Sequence, residues 1–245
     1  MNEPSQPVVV DFRIPGQWSH PRELIERLPD GCRVTPNSLI LPDGARLDLG
    51  FAEPDRQFPG IFRSSCRRTP TAEERTAVDG YTVNVLLSGK GGSMDAARTL
   101  MAAAAAMVRA GGAGVFIDNC GLAHGGKFWL EMTDDGSSDA VSFAFVSIIR
   151  GEADVWTLGM HVLGLRDVVM SRADVEEEGF DIVEVICYLA RGENPVEDGH
   201  IIGDLSGPQF QCRAEDGDAR LAGTPMYNPF GRHRLVRLGE IGRSN

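Results

Sequence analysis

Apolar residues along this 245-residue chain fall into short blocks with the spacing of strands and helices. A run of β-branched residues at 8–14 predicts a strand, which Pro15-Gly16 ends. Apolar positions at helical spacing then predict a helix over 20–28. Residues 32–50 carry two apolar stretches around a Pro-Asp-Gly turn, which predicts a hairpin. The N-terminal part of the chain is therefore expected to be rich in β-structure.

Residues 52–80 interrupt this pattern because they are rich in Pro, Arg and polar residues. They predict an irregular connection with one helical turn at 71–78. Domain boundaries commonly fall in connections of this composition. We therefore expect an N-terminal β-rich subdomain at 1–70 and a main α+β domain at 71–245.

The clearest unit runs over residues 81–118 and predicts a strand, a helix and a second strand. Residues 81–87 are rich in β-branched and apolar side chains and form the first strand. Ser93 is a good N-cap for the alanine-rich helix that follows, and Gly111-Gly112 end that helix. Residues 114–118 form the second strand. If the two strands share a sheet in parallel, the crossover between them should be right-handed.

The pattern after residue 118 is less regular. We expect, in order, a glycine-rich loop at 119–127, a strand or helical turn at 128–132, a loop at 133–139, a strand at 141–149, a short helix at 155–163, a strand at 165–170, an amphipathic helix at 175–190, and strands at 200–202, 208–212 and 235–238. Strands and helices alternate, but hairpin signals recur. The sequence therefore predicts an α+β fold with a mixed, mainly antiparallel sheet and packed helices, in ferredoxin-like or split βαβ style.

Charge and cysteine usage narrow the class of protein. Asp and Glu total 35 against 24 Lys and Arg, a formal net charge of −11, which argues against a general nucleic-acid binder. No apolar run is long enough to span a bilayer, and the N-terminus does not have the pattern of a secretory signal. Five widely spaced cysteines without a C-x-x-C pair favour reduced thiols over a zinc site. We expect a soluble, acidic, cytoplasmic protein with no cofactor, no bound metal and no membrane partner.

Two glycine-rich segments hold both lysines of the chain, since the other 22 basic residues are Arg. The first segment, residues 88–93, lies between a predicted strand and a predicted helix, where backbone N–H groups and a lysine can bind an anion. It matches neither the P-loop pattern nor the dinucleotide pattern G-x-G-x-x-G. The same glycines suit a tight turn that lets the helix approach the strand, and we favour that interpretation. The candidate ligand-binding residues are Gly89, Lys90, Gly91, Gly92 and Ser93, with Lys127 from the second segment.

The second segment follows the strand at 114–118 and carries Asp118, Cys120, His124 and Lys127. If this strand is parallel to the one before the first segment, both segments lie at the carboxyl edge of the sheet, where open α/β sheets bind ligands. Lys90 and Lys127 would then converge on an anionic ligand. Asp118, Cys120 and His124 would be the candidate catalytic residues for acid–base or nucleophilic chemistry. The alternative, which we favour, is two surface loops with unrelated lysines.

Three segments in the C-terminal two-thirds carry a further pattern: W-T-L-G-M-H-V-L-G-L-R-D-V-V at 156–169, D-G-H-I-I-G at 198–203 and N-P-F-G-R-H-R-L-V-R-L at 228–238. Together with the strand–helix–strand unit before them, they resemble an uncharacterised bacterial domain-of-unknown-function family. Asp167 stands where a Glu is more usual in such proteins. The resemblance covers roughly residues 80–240 and implies a compact α+β domain. It implies no catalytic residue, because the family carries no known activity.

Three functions remain open from the sequence. We favour a non-enzymatic module that binds a protein or peptide, through a sheet edge for example, because no catalytic motif such as G-x-S-x-G or H-E-x-x-H is present. The alternatives are a protein that binds a small anionic ligand through residues 88–93 and 118–127, and a hydrolase or transferase that uses the same segments. The distance between Lys90 and Lys127 decides whether either alternative has a shared site.

Overall fold

A computed structural model describes residues 7–177, 182–192, 194–203 and 208–240 of the chain. The strands in these residues are β1 (Val9–Gly16), β2 (Arg33–Thr35), β3 (Ser38–Ile40), β4 (Arg46–Ala52), β5 (Val83–Lys90), β6 (Gly114–Ile117), β7 (Leu122–Gly125), β8 (Ser147–Arg150), β9 (Asp154–Leu158), β10 (Asp167–Ser171), β11 (Ile201–Ile202), β12 (Phe210–Glu215) and β13 (Arg232–Arg237).

Eight α-helices accompany these strands within the described residues. They are α1 (Pro21–Glu26), α2 (Phe58–Ser65), α3 (Ala72–Asp79), α4 (Met94–Arg109), α5 (Gly126–Asp135), α6 (Ser138–Phe145), α7 (Arg172–Glu177) and α8 (Ile182–Arg191). Short 3₁₀ segments lie at Met160–Leu163, Ala219–Leu221 and Leu238–Glu240.

The first sheet has seven strands in the order β2-β3-β4-β5-β1-β6-β7, and every neighbouring pair is antiparallel. β1 lies between β5 and β6 and runs against both, so β5 and β6 are parallel with one strand between them. α4 connects them, and Ser93 caps this helix by accepting a hydrogen bond from the Ala96 N–H. The unit predicted at 81–118 is therefore a split βαβ unit.

The second sheet has six strands in the order β11-β12-β13-β10-β9-β8. β10 and β13 are parallel, and the other pairs are antiparallel. Helices combined with two mostly antiparallel sheets confirm the predicted α+β class. The sequence pattern did not indicate that the strands divide between two sheets.

Alternating side chains give the first sheet two different faces. Val10, Phe12 and Ile14 of β1 are buried on the inner face, where the Phe12 ring packs against Trp129 and Phe145. These residues belong to one continuous core that also includes residues of β9, β10 and β13. Each fully buried side chain of this size contributes about 1.5–3 kcal/mol relative to an exposed one. The core therefore joins the two sheets.

α2 and α3 cover part of the outer face of the first sheet. Phe58 and Phe62 of α2 pack with Val78 of α3 and Tyr81 in a second, smaller apolar cluster. α3 begins at a capping box, in which Thr71 is the N-cap residue. The sequence predicted the helical turn at 71–78 but not α2, which lies in the segment expected to be irregular.

Two elements in the second half differ from the sequence prediction. Residues 138–145 form α6 where a strand over 141–149 was expected, and β9 replaces the first part of the helix expected at 155–163. α6 is a short helix that is buried on several sides, so its apolar residues show no clear helical period. Ser137 was the available helix signal, because its hydroxyl caps α6 by accepting a hydrogen bond from the Ala140 N–H.

Other expectations need smaller corrections. The segment at 119–127, expected to be a loop, contains β7 and the start of α5, and α5 extends into the loop expected at 133–139. The helix expected at 175–190 corresponds to α7 and α8, while residues 178–181 of that prediction lie outside the described residues.

The boundary expected near residue 70 does not coincide with a break in the first sheet. β1 to β4 precede that residue, β5 to β7 follow it, and all seven strands are hydrogen-bonded in one sheet. None of the helices in the described part of the chain has the length and apolar character needed to span a lipid bilayer.

Candidate functional site

The glycine-rich segment at 88–93 uses its backbone amides within the fold. Ser88, Gly89 and Lys90 are the last residues of β5 and pair with β1. The Gly91 N–H donates to the carbonyl of Val8, and the Gly92 N–H donates to the carbonyl of Val162, both at 2.9 Å. An anion cradle needs N–H groups that are free to reach a ligand. These amides are already hydrogen-bonded.

Close packing explains why glycine occupies this segment. A Cβ on Gly91 would lie 2.7 Å from Cγ2 of Val10, and a Cβ on Gly89 would lie 2.9 Å from Cδ2 of Leu100. Gly92 has a φ of +88°, a conformation that L-residues with side chains rarely adopt. The geometry matches the tight-turn interpretation of the segment.

The structure does not bring Lys90 and Lys127 together. Lys90 pairs with Val9 at one end of β1. β7 runs antiparallel to β6 and returns the chain to the opposite end of the strands. There the Gly126 N–H donates to the carbonyl of Ala113, and the Ala113 N–H donates to the carbonyl of Pro15. Val9 and Pro15 are six residues apart on one strand, about 20 Å. The two lysines therefore lie at opposite ends of the strands and share no site.

The three candidate catalytic residues also lie in separate environments. Asp118 follows β6 and accepts hydrogen bonds from Nε of Arg13 at 3.0 and 3.1 Å. Burial raises the pKa of Asp118, and the hydrogen bond from Arg13 opposes that rise. Cys120 is fully buried, which raises the pKa of its thiol to about 12 and keeps it protonated at neutral pH.

His124 is a core residue. Its ring lies near Phe128 and Trp129, and burial lowers its pKa to about 4. Because a carbonyl can only accept, Nε2 must carry the proton of the neutral ring and donate to Ala144 O at 2.9 Å. A neutral histidine held in this way cannot reach Asp118 on the outer face. Asp118, Cys120 and His124 therefore do not form a catalytic group.

A different depression has the features of a binding site. It has a volume of about 560 Å³ and lies between the edge of β8, α6 and α8. We call it the β8 groove. Its lining is Ser64, Ser65, Cys66, Arg67, Cys120, Gly121, Leu122, Asp139, Ser142, Phe143, Val146, Ser147, Ile148, Ile149, Val183, Ile186 and Cys187.

No family model, curated protein or solved structure matches this chain. The resemblance of residues 80–240 to an uncharacterised bacterial family therefore stays a prediction. The function has to be inferred from the chemistry of the site itself.

β8 presents a free strand edge to the β8 groove. β8 is the last strand of the second sheet and pairs with β9 on one side. The Gly151 N–H donates to Asp154 O and closes the hairpin, and hydrogen-bonded pairs alternate along an antiparallel ladder. The N–H and C=O groups of Ile148 and Arg150 therefore point away from β9. Among the described residues they have no backbone partner on that side.

Arg67 places a positive charge in the apolar part of the groove. Its guanidinium lies 4.3 Å from the centre of the Phe143 ring and donates to the carbonyls of Phe143 and Val146. No carboxylate in the described residues lies within 4.0 Å of it, and burial lowers its pKa. Arg remains charged at neutral pH even so. Within the described residues, the groove therefore contains a partly buried cation that forms no salt bridge.

The thiols around the groove are not activated. Burial raises the pKa of Cys66 to about 12 and also raises the pKa of Cys187, so both are protonated at neutral pH. The thiolate is the reactive form. Within the described ranges, no three His, Cys, Asp or Glu side chains are arranged to hold a metal ion.

Sequence reasoning missed this groove. Arg67 lies in the segment at 52–80 that the sequence predicts to be an irregular connection, and nothing in its neighbourhood of the chain indicates a binding site. Its hydrogen-bond acceptors are main-chain carbonyls about 80 residues away, which carry no residue-type signal. The free edge of β8 was equally hidden, because the apolar run at 141–149 did not reveal where the strand begins.

Proposed function

We propose that this protein is a non-enzymatic recognition module that binds an extended peptide segment as an added strand on the free edge of β8. The observation that carries the proposal is the outward-facing N–H and C=O of Ile148, a residue that lines a groove of about 560 Å³, with Arg150 as the next outward-facing position on the same strand edge. A peptide that pairs with a sheet edge gains affinity from main-chain hydrogen bonds, and side-chain pockets supply specificity. The volume of the β8 groove lies in the range of known ligand sites.

The lining of the groove indicates which peptides would bind. Leu122, Phe143, Val146 and Ile186 form an apolar surface beside the strand edge. Alternate side chains of an added strand point to the same side, so apolar residues at every second position would contact this surface. The uncompensated charge of Arg67 favours a carboxylate at one end of the segment, either an acidic side chain or a free carboxyl terminus.

The experiment starts from a displayed library of random octapeptides with free carboxyl termini. We expect the selected peptides to carry alternating apolar residues and a carboxylate, and to bind as synthetic peptides with a measurable Kd in fluorescence anisotropy. Hydrogen exchange should show that the amides of Ile148 and Arg150 become protected when a selected peptide binds. Random sequences with no shared pattern would argue against the groove.

Two pairs of variants test the mode of binding. Ile148→Pro removes an outward-facing N–H and should weaken binding at least 10-fold. Val34→Pro is its matched control, because Val34 lies on β2, the edge strand of the other sheet, with its N–H directed away from β3 by the same alternation. Proline is tolerated at such edge positions. Equal affinity of wild type and Ile148→Pro, with both folded by circular dichroism, would contradict strand addition.

The second pair tests the charge. Arg67→Met removes the cation and should lower the affinity for carboxylate-bearing peptides more than for the same peptides with an amidated carboxyl terminus. Arg67→Lys should retain part of that preference. Arg68→Met is the control, because Arg68 stacks on the Phe128 ring at 4.1 Å and does not line the groove. No difference between Arg67→Met and Arg68→Met would remove Arg67 from the site.

A further inference from the structure

Part of the outer face of the first sheet remains open beside α2 and forms a depression of about 410 Å³, which we call the sheet-face groove. β1, β4 and β5 form its floor, and residues directly opposite each other on antiparallel strands point to the same face. The rows of the floor, in order along the strands, are Asp48, Ser88 and Asp11, then Gly50, Leu86 and Arg13, then Ala52 and Asn84.

The middle of this floor is apolar and lacks a side chain at one position. Leu86 is half-buried there, and Gly50 lies opposite it on β4. A Cβ on Gly50 would lie 3.7 Å from Cβ of Leu86, which is an ordinary contact, and the φ of Gly50 is not positive. Neither packing nor backbone conformation therefore requires glycine. Glycine inside a strand weakens the strand and often marks a place that a ligand approaches closely.

Asn84 places an unused donor at one end of the floor. The residue lines the groove although it is only 3% exposed. Its Oδ1 is enclosed by the protein, so Nδ2 is the polar atom of this side chain that faces the groove. Nδ2 donates no hydrogen bond within the described residues. Because nearly all buried polar groups in native proteins are paired, this donor indicates an acceptor from outside the chain.

The other end of the floor presents acceptors together with further donors. Asp48 is exposed and accepts no hydrogen bond from the described residues. Asp11 accepts one hydrogen bond through Oδ1, from the Ser88 hydroxyl at 2.6 Å. Arg13 donates to Asp118 through Nε, and its terminal nitrogens donate no hydrogen bond in the described part of the chain. Free donors and free acceptors therefore surround the same apolar floor.

This mixture selects the class of ligand. Five carboxylates and one guanidinium line the groove, so an anion would be repelled. A cation would pair with the carboxylates but would leave the Asn84 donor without an acceptor. A hydroxyl group both donates and accepts, so it can pair with either kind of group. A ring that carries hydroxyl groups at its rim and C–H groups on its face matches both the rim and the floor of this groove.

The size of the groove limits the ligand to about one ring between its two polar ends. The rows of Asp48 and Asn84 are four residues apart, about 13 Å. A hydrogen bond of about 2.8 Å at each end leaves about 7 Å between them. One six-membered sugar ring with its hydroxyl oxygens can bridge that distance.

We propose that the sheet-face groove binds one ring of a neutral sugar. A hydroxyl oxygen of the sugar accepts a hydrogen bond from Nδ2 of Asn84, and hydroxyl groups at the other end donate to Asp48 and Asp11. The C–H face of the ring lies on Leu86 and Gly50. This site is separate from the β8 groove and does not depend on peptide binding.

A panel of glucose, galactose, mannose, xylose and N-acetylglucosamine tests the proposal by nuclear magnetic resonance titration of the protein amides. We expect at least one sugar to bind with one molecule per chain and a Kd of about 1 mM or lower. Its affinity should change less than about 2-fold when NaCl is raised from about 20 to about 300 mM, because a neutral ligand forms no ion pair for salt to screen. The methyl glycoside of that sugar distinguishes the two sources, since retained affinity indicates the end of a glycan and lost affinity indicates the free sugar.

Two substitutions in the floor test the position of the ring. Gly50→Val fills the middle of the floor and should weaken binding at least about 10-fold, without lowering the melting temperature, because valine suits a strand. Gly60→Val is its matched control, because Gly60 is an exposed residue of α2 outside the groove. Asn84→Leu removes the Nδ2 donor at similar volume and should also weaken binding at least about 10-fold.

The outcomes separate a sugar site from an unoccupied surface depression. Absence of binding below about 10 mM for every sugar of the panel would overturn the proposal. An unchanged Kd in folded Gly50→Val or folded Asn84→Leu would do the same. Gly50 has room for a side chain, so Gly50→Val tests the groove even if Asn84→Leu lowers stability. Melting curves without ligand serve as the folding control for all three variants.

Discussion

The segment at 88–93 and the edge of β8 both place backbone amides at the boundary of a sheet. The two sets of amides differ in whether they are hydrogen-bonded within the protein. The amides of Gly91 and Gly92 are hydrogen-bonded to Val8 and Val162. Those of Ile148 and Arg150 face away from their sheet partner. The glycine-rich sequence suggests an anion site at residues 88–93, whereas the free backbone donors lie on an ordinary apolar strand. Available donors, not glycines, indicate where a ligand can bind.

Hydrogen exchange measures this contrast directly and should show the largest effect. We expect the amides of Gly91 and Gly92 to exchange at least about 10³-fold more slowly, relative to their intrinsic rates, than those of Ile148 and Arg150. The measurement uses the free protein at neutral pH, with residue-resolved detection. Comparable protection at both places would mean that the edge of β8 is covered by another part of the chain.

Substitution of Gly164 should destabilise the protein most among single changes near the first segment. Gly164 has a φ of +78°, and a Cβ there would lie 2.4 Å from the carbonyl oxygen of Gly92. We expect Gly164→Ala to lower the free energy of unfolding by about 3 kcal/mol. Gly44→Ala is the matched control, because Gly44 has a φ of +88° and no atom within 4 Å of its Cβ position. Urea unfolding of both variants would show whether the close contact or the backbone conformation dominates.

A pH-dependent effect follows from Asp167, which anchors the 3₁₀ segment against the first glycine-rich loop. Its carboxylate accepts hydrogen bonds from Thr157 Oγ1 and the Met160 N–H. Burial raises its pKa to about 7, so in the unfolded chain the group releases its proton at lower pH than in the folded protein. Its contribution to stability is therefore present at acidic pH and is lost as pH rises towards 7.

Asp167→Asn keeps a neutral side chain at every pH. We expect the stability of this variant relative to wild type to be greater at pH 8 than at pH 5, by about 2 kcal/mol. Urea titrations at the two pH values supply the measurement. His124 and His161 act in the opposite sense, because burial lowers their pKa to about 4 and their contribution to stability is lost as pH falls below 6.5. Wild type and Asp167→Asn both contain these histidines, so the effect of the histidines cancels in the comparison.

The smallest effect is expected for Lys90→Ala. The side chain of Lys90 is exposed, and the segment around it has no free amide cradle. We expect a change of less than about 0.5 kcal/mol in the free energy of unfolding. Phosphate should stabilise wild type and Lys90→Ala equally in thermal melts. A phosphate effect that disappears in Lys90→Ala would restore the anion-binding interpretation of residues 88–93.

The sequence predicted the split βαβ unit because its signals are local. Ser93 caps α4, and Gly111-Gly112 follow the end of that helix. The predicted convergence of Lys90 and Lys127 depended on a non-local feature, namely the direction in which the chain runs after residue 118. The β6–β7 hairpin reverses that direction.

The candidate binding site was beyond the reach of sequence patterns for a related reason. The position of the Arg67 side chain is set by hydrogen bonds to main-chain carbonyls of a distant segment. The edge of β8 is free because β8 is the last strand in the sheet order. Chemistry that depends on an unfilled hydrogen bond appears only once all the other bonds are placed.

The central place of β1 has a consequence for how the chain folds. Its register joins Val9 to Lys90 and Phe12 to Ile117, so β5 exists only after about 70 further residues have been synthesised and β6 only after about 100. Until then an apolar strand has no sheet to enter, and such long-range pairing is intrinsically slow and exposed to aggregation. Refolding should therefore be limited by closure of β5 and β6 around β1, and truncated chains that end before β6 should depend on chaperones to stay in solution.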